Sequence, residues 1–236
     1  MHHNRWISGG IYSLLWLGIL GTTVQANALG SGPMASNPER FSPSTLLAQV
    51  PQNDLRIIPG VRVGPVTAKM TRADLVRLFG GSKLQDRTIL GPEGIGSFAA
   101  TRVNLGPEKS FLVVWKDSRR RQMLDIRDLG PAWKTPEGIG IGMGLDQLRQ
   151  VLGEFQFLGF GWDYGGGVLL EQTRLGKRYS GKLILRLDVN YQKAQKYEQD
   201  YRAVSGDQTV SSDNPQLKNL EVRVSQMYVI FDRAAL

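Results

Sequence analysis

Two segments of this chain repeat one another at an offset of 73 residues: Met70-Thr-Arg-Ala-Asp-Leu-Val-Arg-Leu-Phe-Gly80 and Met143-Gly-Leu-Asp-Gln-Leu-Arg-Gln-Val-Leu-Gly153. They share Met, Leu, an aliphatic, a large apolar residue and a final Gly. In each copy the apolar residues fall at i, i+3 and i+4, the spacing of one buried stripe on a short helix. Leu75, Leu78 and Phe79 are therefore expected in a core with Leu148, Val151 and Leu152. The closing glycine suits a helix C-terminus that needs a positive φ. Thr71 followed by Asp74 predicts a capping box for the first helix, whereas the second copy offers only Gly144 at the equivalent place.

After each helix the pattern turns to strands. Residues 86–90, 98–105, 110–116 and 121–127 follow the first, separated by turns such as Gly-Pro-Glu-Gly. Residues 155–164, 168–173, 182–190 and 219–231 follow the second. Leu183, Leu185, Leu187 and Val189 alternate with Arg186, Asp188 and Asn190, as in a strand with one wet face. Residues 191–218 form a polar insertion, with a helix over 191–204 and a loop over 205–215. The expected fold is α+β: two tandem helix-plus-antiparallel-strand units, residues 55–130 and 131–236, with the helices packed on one face of the sheet.

The amino terminus carries Arg5, an apolar run over 11–20 and an Ala26-Asn-Ala28 ending, the layout of a signal peptide cleaved after Ala28 or Ala26. Residues 29–54, with Pro33, Pro38, Pro43 and Pro51 among serines, read as a flexible tail. The expected location is periplasmic or extracellular, with no transmembrane span in the mature chain. Removing residues 1–28 takes away Arg5 and no acidic residue, so the formal charge falls from +8 to +7. A basic exported domain suits an envelope protein or an anionic envelope polymer as partner; nucleic acid is not expected.

The chain has no cysteine, and its two histidines, His2 and His3, lie in the leader. Serine-histidine triads, thiol nucleophiles, ordinary zinc or haem sites and disulfides are thereby excluded from the mature chain. No cofactor and no metal are expected. The glycines of Gly138-Ile-Gly-Ile-Gly142-Met-Gly144 have the wrong spacing for a dinucleotide fingerprint, and neither a phosphate-binding loop nor a Ser-x-x-Lys motif occurs.

The segment Gly142-Met143-Gly-Leu-Asp-Gln-Leu148-Arg-Gln-Val151-Leu152-Gly153 resembles the short helix signature of the small outer-membrane-assembly lipoproteins, and the tandem layout resembles the β-lactamase-inhibitor-protein fold. The resemblance implies duplicated helix-plus-four-strand units that hold another protein. The lipidated cysteine is missing, so attachment through it does not carry over. Trp133-x-Thr135-x-x-Gly138-Ile-x-Ile141-Gly142 followed by Gly159-Phe-Gly-Trp-Asp-Tyr-Gly-Gly166 is also similar to a group of exported bacterial proteins of unknown function.

Two stretches are candidate binding sites. The first is FLGFGWDYGGGV at 157–168. If extended, it places Leu158, Phe160, Trp162 and Tyr164 on one side and Gly159, Gly161, Asp163 and Gly165 on the other. That bulky face is either core, the favoured reading, or an aromatic platform in which Trp162, Asp163 and Tyr164 meet a ligand. The second is Arg119-Arg120-Arg121 in a hairpin turn, either a solvated loop or an anion contact. An enzyme on this chain must use carboxylates, lysine or tyrosine. Asp163 with Glu137, Glu154 or Glu171 is the pair a hydrolase acting on envelope glycan would need. The expected role is non-catalytic binding.

Overall fold

The computed structural model describes residues 53–91 and 94–232. The expected leader and nearly all of the expected tail lie outside them. Asp54, at the tail's end, accepts from Arg62 Nη1 at 2.8 Å and from the Arg56 amide at 2.9 Å. Behind it β1 (Ile57–Ile58), β2 (Arg62–Val63) and β3 (Val66–Thr67) make a small antiparallel sheet that the sequence reading did not anticipate.

The first repeat is α1 (Arg72–Phe79). Its capping box forms as expected: the Thr71 amide donates to Asp74 Oδ2 at 2.7 Å, and the Asp74 amide donates to Thr71 Oγ1 at 3.4 Å. Gly80 ends it at φ +82°. There follow β4 (Leu84–Leu90), β5 (Ser97–Val103), β6 (Phe111–Trp115) and β7 (Met123–Arg127), each paired antiparallel with the next. All four correspond to expected strands.

The second repeat is α2 (Leu145–Leu152), closed by Gly153 at φ +81°. Gly144 has no capping side chain, and the helix start is fixed from outside by the Leu145 amide, which donates to the Val222 carbonyl at 3.0 Å. Then come β8 (Gln156–Leu158), α3 (Gly176–Tyr179), β9 (Leu183–Asp188), α4 (Tyr191–Lys196), α5 (Glu198–Ala203), β10 (Thr209–Ser211) and β11 (Arg223–Ile230). The expected helix over 191–204 is thus two helices broken at Tyr197, whose ψ of 52° leaves the helical region, and the expected loop over 205–215 contains β10. The expected strand over 168–173 is a bridge followed by a 3₁₀ turn at Leu170–Gln172.

The six-stranded antiparallel sheet runs β4-β5-β6-β7-β11-β9, and β8 pairs with β10. Residues 166–168 join the two sheets: Val168 N donates to Leu185 O at 3.0 Å and Leu187 N to Gly166 O at 2.8 Å, while Leu158 N donates to Gly167 O at 2.9 Å. The protein is therefore α+β with antiparallel sheets. No helix among the described residues is long and apolar enough to cross a membrane.

The main core takes Leu75 from α1, Leu148 and Leu152 from α2, and Tyr179 from α3 against Phe111, Val113, Trp115, Ile126 and Phe157 from the strands. Leu78, Phe79 and Val151 are only partly buried but pack against it. A second cluster, Ala100, Leu112, Val114 and Leu124 with Ile89 and Phe98, consists wholly of strand residues. In β6 the odd positions enter one cluster and the even positions the other, so this strand is buried on both faces.

Candidate functional site

The FLGFGWDYGGGV stretch leaves the strand after Leu158, because Gly161 at φ +87° turns the chain and ends the period-two alternation. Phe157 and Phe160 enter the core together, ring centroids 5.2 Å apart. The bare glycines let backbones meet. A Cβ on Gly159 would stand 2.6 Å from the Gly206 carbonyl oxygen, and one on Gly165 would stand 2.9 Å from that of Gly159.

Trp162 and Tyr164 lie in the turn beyond, where Trp162 is half-buried and Tyr164 is 46% exposed. The expectation that Leu158, Phe160, Trp162 and Tyr164 share one buried face is therefore corrected: only Phe160 of the four is buried. The turn is firmly held. Trp162 Nε1 donates to the Gly159 carbonyl at 2.8 Å, and Arg186 on β9 donates through Nε and Nη2 to the Gly165 carbonyl at 3.1 and 2.9 Å. The two rings meet edge to face, centroids 5.4 Å apart at 67°. Asp163 between them is exposed.

Trp162→Ala is consequently expected to lower stability by only about 1 kcal/mol, because a half-buried turn residue leaves no closed cavity behind it. Chemical denaturation measures this, and a loss of several kcal/mol would return Trp162 to the core. Trp115 and Trp133 are buried, so Trp162 is the one partly exposed tryptophan among the described residues. The same variant should remove most of the acrylamide-quenchable fluorescence that these residues contribute.

Arg119, Arg120 and Arg121 sit in the β6–β7 turn, where Asp117 Oδ2 accepts from the amides of Arg121 and Gln122 at 3.1 and 2.9 Å. Arg120, at φ +56°, turns inward, its Nε 3.4 Å from Asp86 Oδ1. Asp86 also accepts from Arg72 Nε and from the Thr101 hydroxyl, each at 2.7 Å, and that hydroxyl accepts from Trp115 Nε1 at 2.9 Å. Burial raises the Asp86 carboxyl, but Thr101, Arg72 and Arg120 together bring it below the ordinary range. Arg120 is thus tied into a structural network, while Arg119 and Arg121 are exposed. The arginine turn is anchored to β4 through Asp86 and the aromatic turn to β9 through Arg186.

Among the acidic candidates, Glu137 accepts from the Tyr179 hydroxyl and, at 2.6 Å, from Arg178 Nη1. Burial raises its pKa, yet the bonds to Tyr179 and neighbouring groups outweigh it and hold Glu137 below the ordinary glutamate range. That is the reverse of what a general acid needs. Glu154 is exposed and paired with Arg149 at 3.6 Å, and Glu171 is exposed. None of the three bonds to Asp163.

Since the folded pKa of Glu137 is depressed, its stabilisation is present above the ordinary glutamate range and is lost as acid protonates it. Glu137→Gln is expected to flatten the acid limb of a stability-against-pH curve. An unchanged acid limb would show that the Glu137–Tyr179–Arg178 network does not drive the acid response.

The sequence reading missed the polar features of the sheet face that carries the second cluster. Asp125 is 2% exposed and takes both Nε and Nη2 of Arg127, at 2.7 and 2.5 Å, while the Arg127 guanidinium lies 4.9 Å over the Tyr228 ring. Burial pushes the Asp125 carboxyl above the ordinary range despite Arg127. Arg87 and Arg102 stand beside this patch, 3.5 and 3.9 Å from Asp128. Only the Leu112–Arg127 cross-strand register brings these residues together, and no local signal marks it. At its outer end the β4–β5 hairpin exposes Leu90 and Ile95, each 73% accessible.

A separate cleft of about 610 Å³ opens between the start of α2, residues 212–218 and the start of β11. Its charged lining alternates, with Asp146, Asp213 and Glu221 against Arg149, Lys218 and Arg223, and it contains none of the candidate residues. No protein-family model, curated protein or solved structure matches this chain.

Proposed function

We propose that this protein is an exported, non-catalytic binding domain of the cell envelope that holds an envelope protein or an anionic envelope polymer against its sheet. The observation that carries the reading is the exposed apolar end of this sheet face at the β4–β5 hairpin. Leu90 and Ile95 are each 73% exposed, Ile89 and Phe98 beside them are only partly buried, and Arg87, Arg102 and Arg127 fringe the same face. An apolar centre with an arginine and aromatic fringe is the usual composition of a protein contact surface.

The same proposal reads the chain as two tandem units, with helices on one side of the sheet. In its support, α1 is followed by β4 to β7 in sequential order. Likewise α2 is followed by β8, residues 166–168, β9 and β11, each bonded to the next. The final strands of the two series, β7 and β11, pair with each other through Ile126 and Val229. The helices α4 and α5 and strand β10 belong to the insertion. This arrangement agrees with the resemblance to the small assembly lipoproteins and the β-lactamase-inhibitor-protein fold, which implies a role in holding another protein.

The test is photo-crosslinking in envelope extract from position 98 on the proposed face, with position 191 on α4 as control; Tyr191 is 74% exposed. A discrete adduct is expected from position 98 alone, lost when Arg87→Glu and Arg102→Glu reverse the fringe. Equal labelling from both positions, or an adduct indifferent to the reversal, overturns the reading.

A further inference from the structure

The turn at 161–166 is built more rigidly than a solvated loop requires. Its carbonyl at Gly165 is held twice by Arg186, its indole is bonded back to Gly159, and its glycine backbone packs directly on Leu187 and Gly159. Side chains ordered in advance lose little freedom on binding, which is what a recognition element needs. What they present is specific in chemistry. Two aromatic rings meet edge to face at 67°, with Trp162 half-buried and Tyr164 46% exposed. The exposed carboxylate of Asp163 lies between them in sequence, and it makes no hydrogen bond or ion pair among the described residues.

Ring faces carry negative potential, and a carboxylate adds a full negative charge, so the combination attracts organic cations and repels anions. The cation nearest in bonding, Arg186, is directed to the Gly165 carbonyl. Residues 162–164 lie in a partly exposed turn outside the cleft at the start of α2. A cation on such a turn gains affinity when it arrives on a larger surface.

We propose that Trp162, Asp163 and Tyr164 form a cation-binding corner that receives a lysine or arginine side chain of a protein partner. The inference rests on the interaction role proposed above and narrows it: an anionic polymer offers no such group, whereas a protein does.

The test follows the indole N–H resonance of Trp162, assigned with Trp162→Phe, while the intact protein is titrated with tetramethylammonium or methylguanidinium. Neutral tert-butanol and sodium chloride at matched ionic strength are the controls. The cations are expected to shift the resonance saturably and the controls to leave it nearly unmoved. Asp163→Asn is expected to weaken the cations roughly threefold, the size of an exposed ion pair. An equal response to tert-butanol, no response to either cation, or full affinity in Asp163→Asn overturns the corner. Loss of the titration with crosslinking from position 98 intact rejects the corner alone. Loss of that crosslinking with the titration intact rejects the sheet-face reading alone.

Discussion

Replacing Trp115 by alanine is expected to destabilise the protein by about 4 kcal/mol, the usual cost of emptying a large aromatic site whose walls cannot collapse. Trp115 is fully buried at the end of β6. The damage extends beyond volume, since its indole N–H is the donor to Thr101 Oγ1, and Thr101 in turn holds Asp86 against Arg72 and Arg120. Trp115→Phe separates the two effects. It restores much of the volume but leaves the buried hydroxyl without its donor, so about 2 kcal/mol of the loss should remain. Urea denaturation followed by far-ultraviolet circular dichroism measures both variants. A loss below about 1 kcal/mol for Trp115→Ala would mean that the sheet relaxes into the space, contrary to the close packing expected of such a core.

Gly166→Ala should be nearly as damaging, for a backbone reason. Gly166 sits at φ +73° in the ladder that joins β9 to β8, with its amide donating to Leu158 at 2.7 Å and its carbonyl accepting from Leu187 at 2.8 Å. A Cβ there would penetrate the Leu187 carbonyl oxygen, and both strands are pinned by these bonds. Left-handed backbone and steric overlap together suggest a cost of about 3 kcal/mol. Gly106→Ala is the control, because Gly106 has φ +85° but open space around its would-be Cβ; it should cost only about 1 kcal/mol. Equal losses at the two sites would show that φ alone matters and that the strands can part. In hydrogen exchange, Gly166→Ala should also release the Leu187 amide ahead of the centre of the sheet.

The carboxylate-pair reading needs an acid with a raised pKa, and Glu137 is held below its ordinary range instead. Glu137, the candidate nearest a defined environment, is spent on Tyr179 and Arg178, and among the described residues Asp125 is the carboxyl that burial leaves above its ordinary range, where Arg127 holds it in two bonds. Neither arrangement leaves a carboxyl positioned opposite another. The exposed turn that keeps Asp163 available is suited to contact.

Local chemistry made much of the fold legible before any coordinates. A capping box at Thr71 and Asp74, closing glycines at 80 and 153, and the i, i+3, i+4 stripes determined α1 and α2, since helices are specified by contacts within a few residues. Alternation marked β9, and β-like runs between turn signals marked β4 to β7, while the lack of cysteine and of histidine beyond residue 3 bounded the chemistry. What only the tertiary structure decided depends on partners distant in the chain. Phe160 is buried and Trp162 is not because Gly161 turns the chain where residues 204–208 meet it, a pairing that period-two counting does not contain. Asp125 and Arg127 read as ordinary surface charges until β6 and β11 close on either side of β7 and remove the water. A side chain's periodicity is set by its own backbone, but its burial is set by whatever that backbone is folded against.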